Sequence, residues 1–492
     1  MKTAIVWFRN DLRFRDNHAL TVASESEQLL CVFCFDPRSF SSREYGGKRS
    51  FRYEKTGHHR ARFIRESVED LRTSLREMGS ELVVRHGTPE SVVPTLAAEI
   101  DASAVYFHTY PTVEEIAVER AVADRASEAT PGIEIESFPG HTLYHPDDLP
   151  VAVNEIEDTF TAFRKGVEGS NAAVRPTVEP PTLPPSPTFP SGGLETGTIP
   201  TLTDLGVDSS TPDERAVLDF EGGETAGLDR LERYVWERDR LREYKKTRNG
   251  LLGSDYSSKL SPWLNLGCLS PRTVYEAVKR YERERVENES TYWLFFELLW
   301  RDFFQFQFAK HGSKLFEQGG IRRRDIDWRD DREGGDEDAE SALERWKRGG
   351  TGIPFVDANM RELNESGFMS NRGRQNVASF LANDLGIDWR RGAAYFETHL
   401  VDYDPASNYG NWAYIAGVGN DSRNRSFDIV WQAERYDPDA AYVKYWLPEL
   451  DGIPPEQAHE PWNLSPAEQN RYGVVIGEDY PKPIVRPSEK TD

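Results

Sequence analysis

The chain has 492 residues, 38% of them hydrophobic and 29% charged, which implies two domains and excludes wholesale disorder. A formal net charge of −23 excludes indiscriminate binding to polyanions, because the field of the whole molecule repels phosphate. It also fits a salt-adapted protein, in which high ionic strength shortens the reach of that field.

In chain order, residues 3–8, 28–35, 81–85, 104–108 and 133–138 are short apolar runs that read as buried strands. Residues 60–78, with Phe63, Ile64, Val68, Leu71 and Leu75 at helical spacing before Gly79, read as a helix, as do 89–100 and 113–129. Alternating strand and helix implies a doubly wound, Rossmann-like parallel sheet with helices on both faces. The first strand is followed by Arg9-Asn10-Asp11-Leu12-Arg13 and not by GxGxxG, so an NAD enzyme is disfavoured. Cys31 and Cys34 form a CxxC inside an apolar run, with Cys268 the only other cysteine. Two small core residues on a strand are expected there, with no metal site, and the low count suits a reducing cytoplasm. The start at Met1 lacks a secretory apolar region, and no run approaches the roughly 18 residues of a membrane span. A cytoplasmic protein is expected.

From about 166 to 212 the composition turns to Pro, Gly, Ser and Thr, which reads as an extended connector. Beyond it, helical periodicity and many aromatics imply an all-helical domain. The expected division is 1–145, α/β; 146–215, connector; 216–492, all-α. The acidic stretch 329–341 reads as a solvated surface loop.

Four segments of the second half carry chemistry. Asp255-Tyr256-Ser257-Ser258-Lys259-Leu260-Ser261-Pro262-Trp263 sets hydroxyls and a lysine before a helix start, a place that holds phosphate or simply caps a helix. In the segment 293–304, Trp293, Glu297, Trp300 and Phe304 fall along one helical stripe. An aromatic stripe alone is ordinary core; a carboxylate within it needs a partner or a function. Segments 367–376 and 401–412 concentrate Asn, Arg and Asp. The latter lacks the acidic spacing of a calcium loop.

Together these segments resemble, in order and spacing, the FAD-binding domain of photolyases and cryptochromes. The first half is similar to that family's antenna domain from Val6-Trp7-Phe8-Arg9-Asn10-Asp11 onward, and 55–72 and 371–379 resemble its DASH branch. The resemblance implies a U-shaped FAD with its pyrophosphate on Ser257, Ser258, Lys259, Leu260 and Ser261, near Tyr244. Glu297, Arg301 and Asn371 join the cofactor set, Arg374 and Asp402 pair beside the isoalloxazine, and Asp404 lies near flavin and ribose. Asn408 faces N5, which favours the reduced, repair-competent FADH⁻. Glu297 would contact the base carbonyls of a pyrimidine dimer, and Trp300 would pack on the flipped lesion, with Gln375, Tyr414 and Arg372 also on the DNA side. Gln375 and Tyr414 replace the Met and Trp of enzymes acting on duplex DNA, which implies a preference for single strands. Trp412, Trp389 and Trp328 match an electron-transfer chain, with Trp346 as an alternative outermost member.

The resemblance further implies a second chromophore, 5,10-methenyltetrahydrofolate or a deazaflavin, with Glu114 and Glu115 as candidate contacts. Lys245, Lys246, Arg248, Arg322, Arg323, Arg324, Arg390 and Arg391 complete an expected phosphate track on an acidic protein. The leading expectation is a light-driven dimer lyase acting on UV-damaged DNA, as a monomer without membrane contact. A photoreceptor with little repair activity is the alternative.

Overall fold

A computed structural model describes residues 2–47, 49–187, 189, 193–209, 213–331, 337–420 and 426–486. The expected strands form β1 (Thr3–Phe8), β2 (Gln28–Phe35), β5 (Leu82–His86), β6 (Ala104–Thr109) and β7 (Glu134–Pro139), between which lie the short strands β3 (Ser42–Glu44) and β4 (Arg52–Glu54); β7, expected to be buried, is an edge strand in which only Phe138 is buried. The five long strands make one parallel sheet in the order β5-β2-β1-β6-β7. Its central strands are hidden on both faces, which is why they read as continuous apolar runs without alternation. Strand order reverses between β1 and β6, and the crevice beyond their carboxyl ends is where such sheets take ligands.

Cys31 and Cys34 point to opposite faces of β2, one in each of two apolar cores, and both are free thiols. Burial pushes the Cys31 thiol up to about 12, so it is inert.

One further expectation needs correction, and two features went unread. The β3–β4 hairpin was hidden in a polar stretch with no alternating pattern. The Pro-rich connector is extended but not loose. Leu29 N–H donates to the Pro185 carbonyl at 3.1 Å and Val84 N–H to Thr196 at 2.8 Å, while Phe189 is buried in a core. Its backbone thus satisfies polar groups on the sheet. The acidic stretch, expected to be a solvated loop, instead enters the helix Glu337–Lys347, whose Ala339, Ala342, Leu343 and Trp346 are buried. That i, i+3, i+4, i+7 stripe outweighs the acidic composition; residues 332–336 lie outside the described residues.

The second half is helical and built around Glu289–His311, whose start is fixed by a reciprocal cap between Asn288 and Thr291. This helix also anchors the two halves. The Asp302 carboxylate accepts the Leu143 and Tyr144 N–H groups, each at 2.8 Å. Burial raises its pKa to about 7 against those hydrogen bonds. Glu224 accepts Phe14 N–H at 2.8 Å and Arg15 N–H at 3.0 Å, and Arg13 donates to the Gly267 carbonyl at 2.9 Å.

Candidate functional site

A cavity of about 560 Å³ opens in the helical half, within the range of small-molecule sites. Every residue the sequence assigned to the flavin lines it: Tyr244, Ser257, Ser258, Lys259, Leu260, Ser261, Glu297, Arg301, Asn371, Arg374, Asp402, Asp404 and Asn408.

One wall is the 254–261 loop. The expected serine cap is not made there: the helix Ser261–Asn265 has only five residues, and Leu260 precedes it without a side-chain cap. Instead Ser261 Oγ donates to Asp402 at 2.6 Å. Lys259 takes a left-handed conformation with φ of 54°, donates Nζ to the Ser254 carbonyl at 3.0 Å and lies 3.2 Å from the centre of the Tyr256 ring. Burial, aided by Arg230, pulls this ammonium down to about 6.

Across the cavity Arg374 Nη2 bridges both Asp402 oxygens at 2.9 and 3.0 Å. With Asn265 on its carbonyl and Ser261 on its carboxylate, Asp402 is a buried hub, and Arg374, whose Nε donates to the Met369 carbonyl at 2.9 Å, lines the open space. Asn408 donates Nδ2 to the Ala393 carbonyl at 2.9 Å, which leaves its amide oxygen as the group for a ligand. Asp404 caps the helix Pro405–Ile415 through Ser407 N–H at 2.7 Å and accepts Gln305 Nε2 at 2.9 Å. Burial alone would raise its pKa, yet His141, Arg301 and Ser407 hold it well below the carboxylate range. Arg301 lines the cavity, but its guanidinium is taken up by His141 and the Leu264 carbonyl, so its role is to brace the wall.

At the mouth, Glu297 pairs with Arg248, and its side chain is 31% exposed. Burial lifts its pKa while Arg248 opposes the shift. Trp300 lies on Phe160 in a parallel stack at 3.6 Å and meets Tyr414 edge-on at 6.3 Å. Gln375 and Tyr414 share this lining. Arg372 stands outside the lining and donates to Gln375 at 3.0 Å. Arg322, Arg323 and Arg324 are exposed, but Arg390 is buried in a bidentate pair with Asp388 and drops out of the phosphate track.

Of the tryptophans, Trp412 lines the cavity, is 2% exposed and holds a buried indole N–H without a protein partner. Trp389 and Trp328 do not line the cavity, and both are buried. Trp412 sits against Gly392, one helical turn beyond Trp389 on the helix Trp389–His399; a Cβ on that glycine would lie 2.2 Å from the indole. Trp346 touches Trp412 at 6.2 Å, with Phe396 beside both.

A second cavity of about 180 Å³ lies at the β1–β6 switch point, between the halves. Asn10, Tyr110 and Thr112 come from the strand ends, and Glu114 and Glu115 both line it. Glu114 is 69% exposed and pairs with Lys55. Glu115 has an oxygen buried without a partner, and burial raises its pKa to about 7 against the pull of Arg9. Asn265, Tyr403 and Asp404 line both cavities, and His141 and Gln305 complete the partition. Sequence reasoning missed His141, Asn265 and Gln305. Each is an isolated polar residue on a different element, and no spacing links them.

A guanidinium and a buried lysine beside hydroxyls, aromatic walls and an amide acceptor suit a long, planar, anionic nucleotide, so the residues present fit FAD. Comparison with known proteins agrees. Residues 4–185 match the DNA photolyase family model, and 293–492 match the FAD binding domain of DNA photolyase. The Cryptochrome DASH of Natronomonas pharaonis is 57% identical over 99% of this chain and 98% of its own length. The crystal structure of a Synechocystis cryptochrome superposes with a TM-score of 0.92 at 48% identity, covering 99% of this chain and 97% of that one. An archaeal photolyase from Sulfolobus tokodaii, described with two FAD molecules, gives 0.76 at 30% identity, covering 99% and 96%.

Fold and site thus define a photolyase-type flavoprotein. More narrowly, the chain belongs to the photolyase/cryptochrome family and, by these full-length relatives, to its DASH branch.

Proposed function

We propose that this chain is a DNA photolyase-type lyase that uses FAD and blue light to split cyclobutane pyrimidine dimers, preferentially in single-stranded DNA. The observation that carries this reading is that Glu297 and Trp300 stand at the mouth of the same cavity that holds the Arg374–Asp402 pair and Asn408. When bound, the flavin supplies light absorption and one-electron transfer.

The chain's own residues do the rest. Arg374, held by Asp402, offers positive charge to an anionic ring, and the Asn408 oxygen accepts from a protonated nitrogen. Lys259 and the serines of 257–261 would hold the pyrophosphate, and Asn371 and Asp404 the rest of the nucleotide, all of them lining the cavity. Glu297 faces the place of the base carbonyls where negative charge develops; burial raises its pKa and so favours the protonated form that donates to them, against the opposing pull of Arg248. Trp300 and Tyr414 wall the space for an extruded lesion, with Gln375 and Arg372 at its edge. A tyrosine offers less stacking surface than an indole, which suits a strand that needs no unpairing. Trp412 and Trp389 carry electrons inward, with Trp328 as the outer member; Trp346, the alternative, packs on Trp412 at the inner end and not beyond Trp389.

The second cavity is assigned to methenyltetrahydrofolate near Glu114 and Glu115, with a deazaflavin as the alternative. The support is a buried, unpartnered carboxyl at the sheet's switch point. The domain division stays at 1–145, 146–215 and 216–492, and a cytoplasmic monomer is proposed. Illuminating the reduced protein with dimer-containing oligonucleotides tests the reading: dimer loss in single strands is expected. No loss in either strand context favours a photoreceptor, a reading supported by the cryptochrome name of the relatives.

A further inference from the structure

Outside the flavin cavity lies a buried phenol–carboxylate pair whose carboxylate lines the second cavity and to which the proposed function gives no role. Tyr409 is 1% exposed and its hydroxyl donates to Glu397 Oε2 at 2.8 Å. Its ring lies 6.2 Å from that of Trp389. Trp412 stands one turn further along the same helix, Pro405–Ile415, at the cavity wall. Glu397 is 1% exposed and pairs with Lys55 at 2.9 Å, and Lys55 also pairs with Glu114 at 2.7 Å.

We propose that Tyr409 reduces the oxidised Trp389 while its phenolic proton passes to Glu397, which makes Tyr409 a proton-coupled electron donor. The inference rests on the reading of Trp412 and Trp389 given above. With FAD bound, its photoexcited oxidised form would supply the oxidant of the sequence; Trp412, at the cavity wall, would give it an electron and Trp389 would refill Trp412. One electron then leaves Tyr409 for the Trp389 radical cation. The phenolic O–H bond breaks, an O–H bond forms on Glu397, and the products are neutral Trp389, a neutral tyrosyl radical and a carboxylic acid.

Two features drive the step. It collapses a buried indole cation and a carboxylate into neutral groups, which a low-dielectric interior favours. The ammonium of Lys55 is not stranded, because Glu114 stays paired with it. The phenol does not ionise beforehand, since burial, reinforced by Glu397, holds its pKa well above the ordinary value. Proton and electron therefore leave together, across a contact short enough for direct transfer.

The test uses the full-length flavin-bound protein in its oxidised form, with laser-flash absorption and freeze-trapped electron paramagnetic resonance. The native protein is expected to yield a neutral tyrosyl radical, formed more slowly in D2O. Tyr409→Phe, checked for unchanged flavin content and melting, should replace it with a tryptophan radical and speed charge recombination by about tenfold or more. Glu397→Gln should suppress the tyrosyl radical while keeping the phenol. A Tyr409→Phe protein with native radical and recombination kinetics, or an absent isotope effect, overturns the inference. Trp412→Phe separates the layers. If it abolishes light-driven flavin reduction while Tyr409→Phe changes nothing, only the tyrosine step falls. If it leaves reduction intact, the tryptophan reading and this inference fall together.

Discussion

Lys259 shows how one residue links cofactor binding to pH. Its folded pKa is about 6 against an ordinary 10.5. Between those values the unfolded chain binds more protons than the folded one. The flavin-free protein therefore gains stability as pH rises through this window and loses it as pH falls towards about 6. A pyrophosphate beside Lys259 restores the ammonium, so flavin binding near pH 7 should take up about one proton. Calorimetry in two buffers of different ionisation enthalpy reads this directly; identical apparent enthalpies would refute it. At the mouth, Glu297→Gln should lower dimer-repair yield by about 10- to 100-fold with flavin content unchanged. An equal loss of flavin would instead make Glu297 a cofactor anchor.

Among the helices, the crossing of Trp389–His399 with Pro405–Ile415 depends on Gly392, because the Trp412 indole occupies the space of its missing side chain. Gly392→Ala should cost about 1–3 kcal/mol and displace Trp412, visible as a lower melting temperature and slower flavin photoreduction. A variant with native stability and photoreduction would show that the indole has room to spare. The same pair marks what was legible in sequence. Asn408 and Trp412 were readable because their motif is contiguous, and the stripe of Trp293, Glu297 and Trp300 because helical spacing is periodic. The partner that fixes Glu297 was not, since Arg248 lies 49 residues away and nothing local pairs them. β1, β2, β5 and β6 were readable from continuous apolar runs, and the polar β3–β4 hairpin was not. The connector's packing was not, because its hydrogen bonds run through backbone carbonyls that any residue carries. The expected serine cap failed for another reason: the helix begins at Ser261 itself, so Leu260 holds the cap position, and the Ser261 hydroxyl donates instead to Asp402, distant in sequence.

Over the entire chain, the charge of −23 opposes both compaction and DNA approach. Added KCl should raise the melting temperature as self-repulsion is screened; a flat or falling curve would contradict this. Two cavities share the wall of Asn265, Tyr403 and Asp404, and that wall is braced across the halves by Arg301 and His141. The alternation of strand and helix made the sheet legible, but the wall arises only when the halves dock. The most direct measurement is the amount of FAD released by heat from the purified protein, native and with Asp402→Ala. About one FAD per native chain, falling at least about tenfold in the variant because a buried ion pair is broken, is the predicted result. A native protein that carries no FAD and cannot be reconstituted with it, or a variant that holds it equally well, would contradict the account.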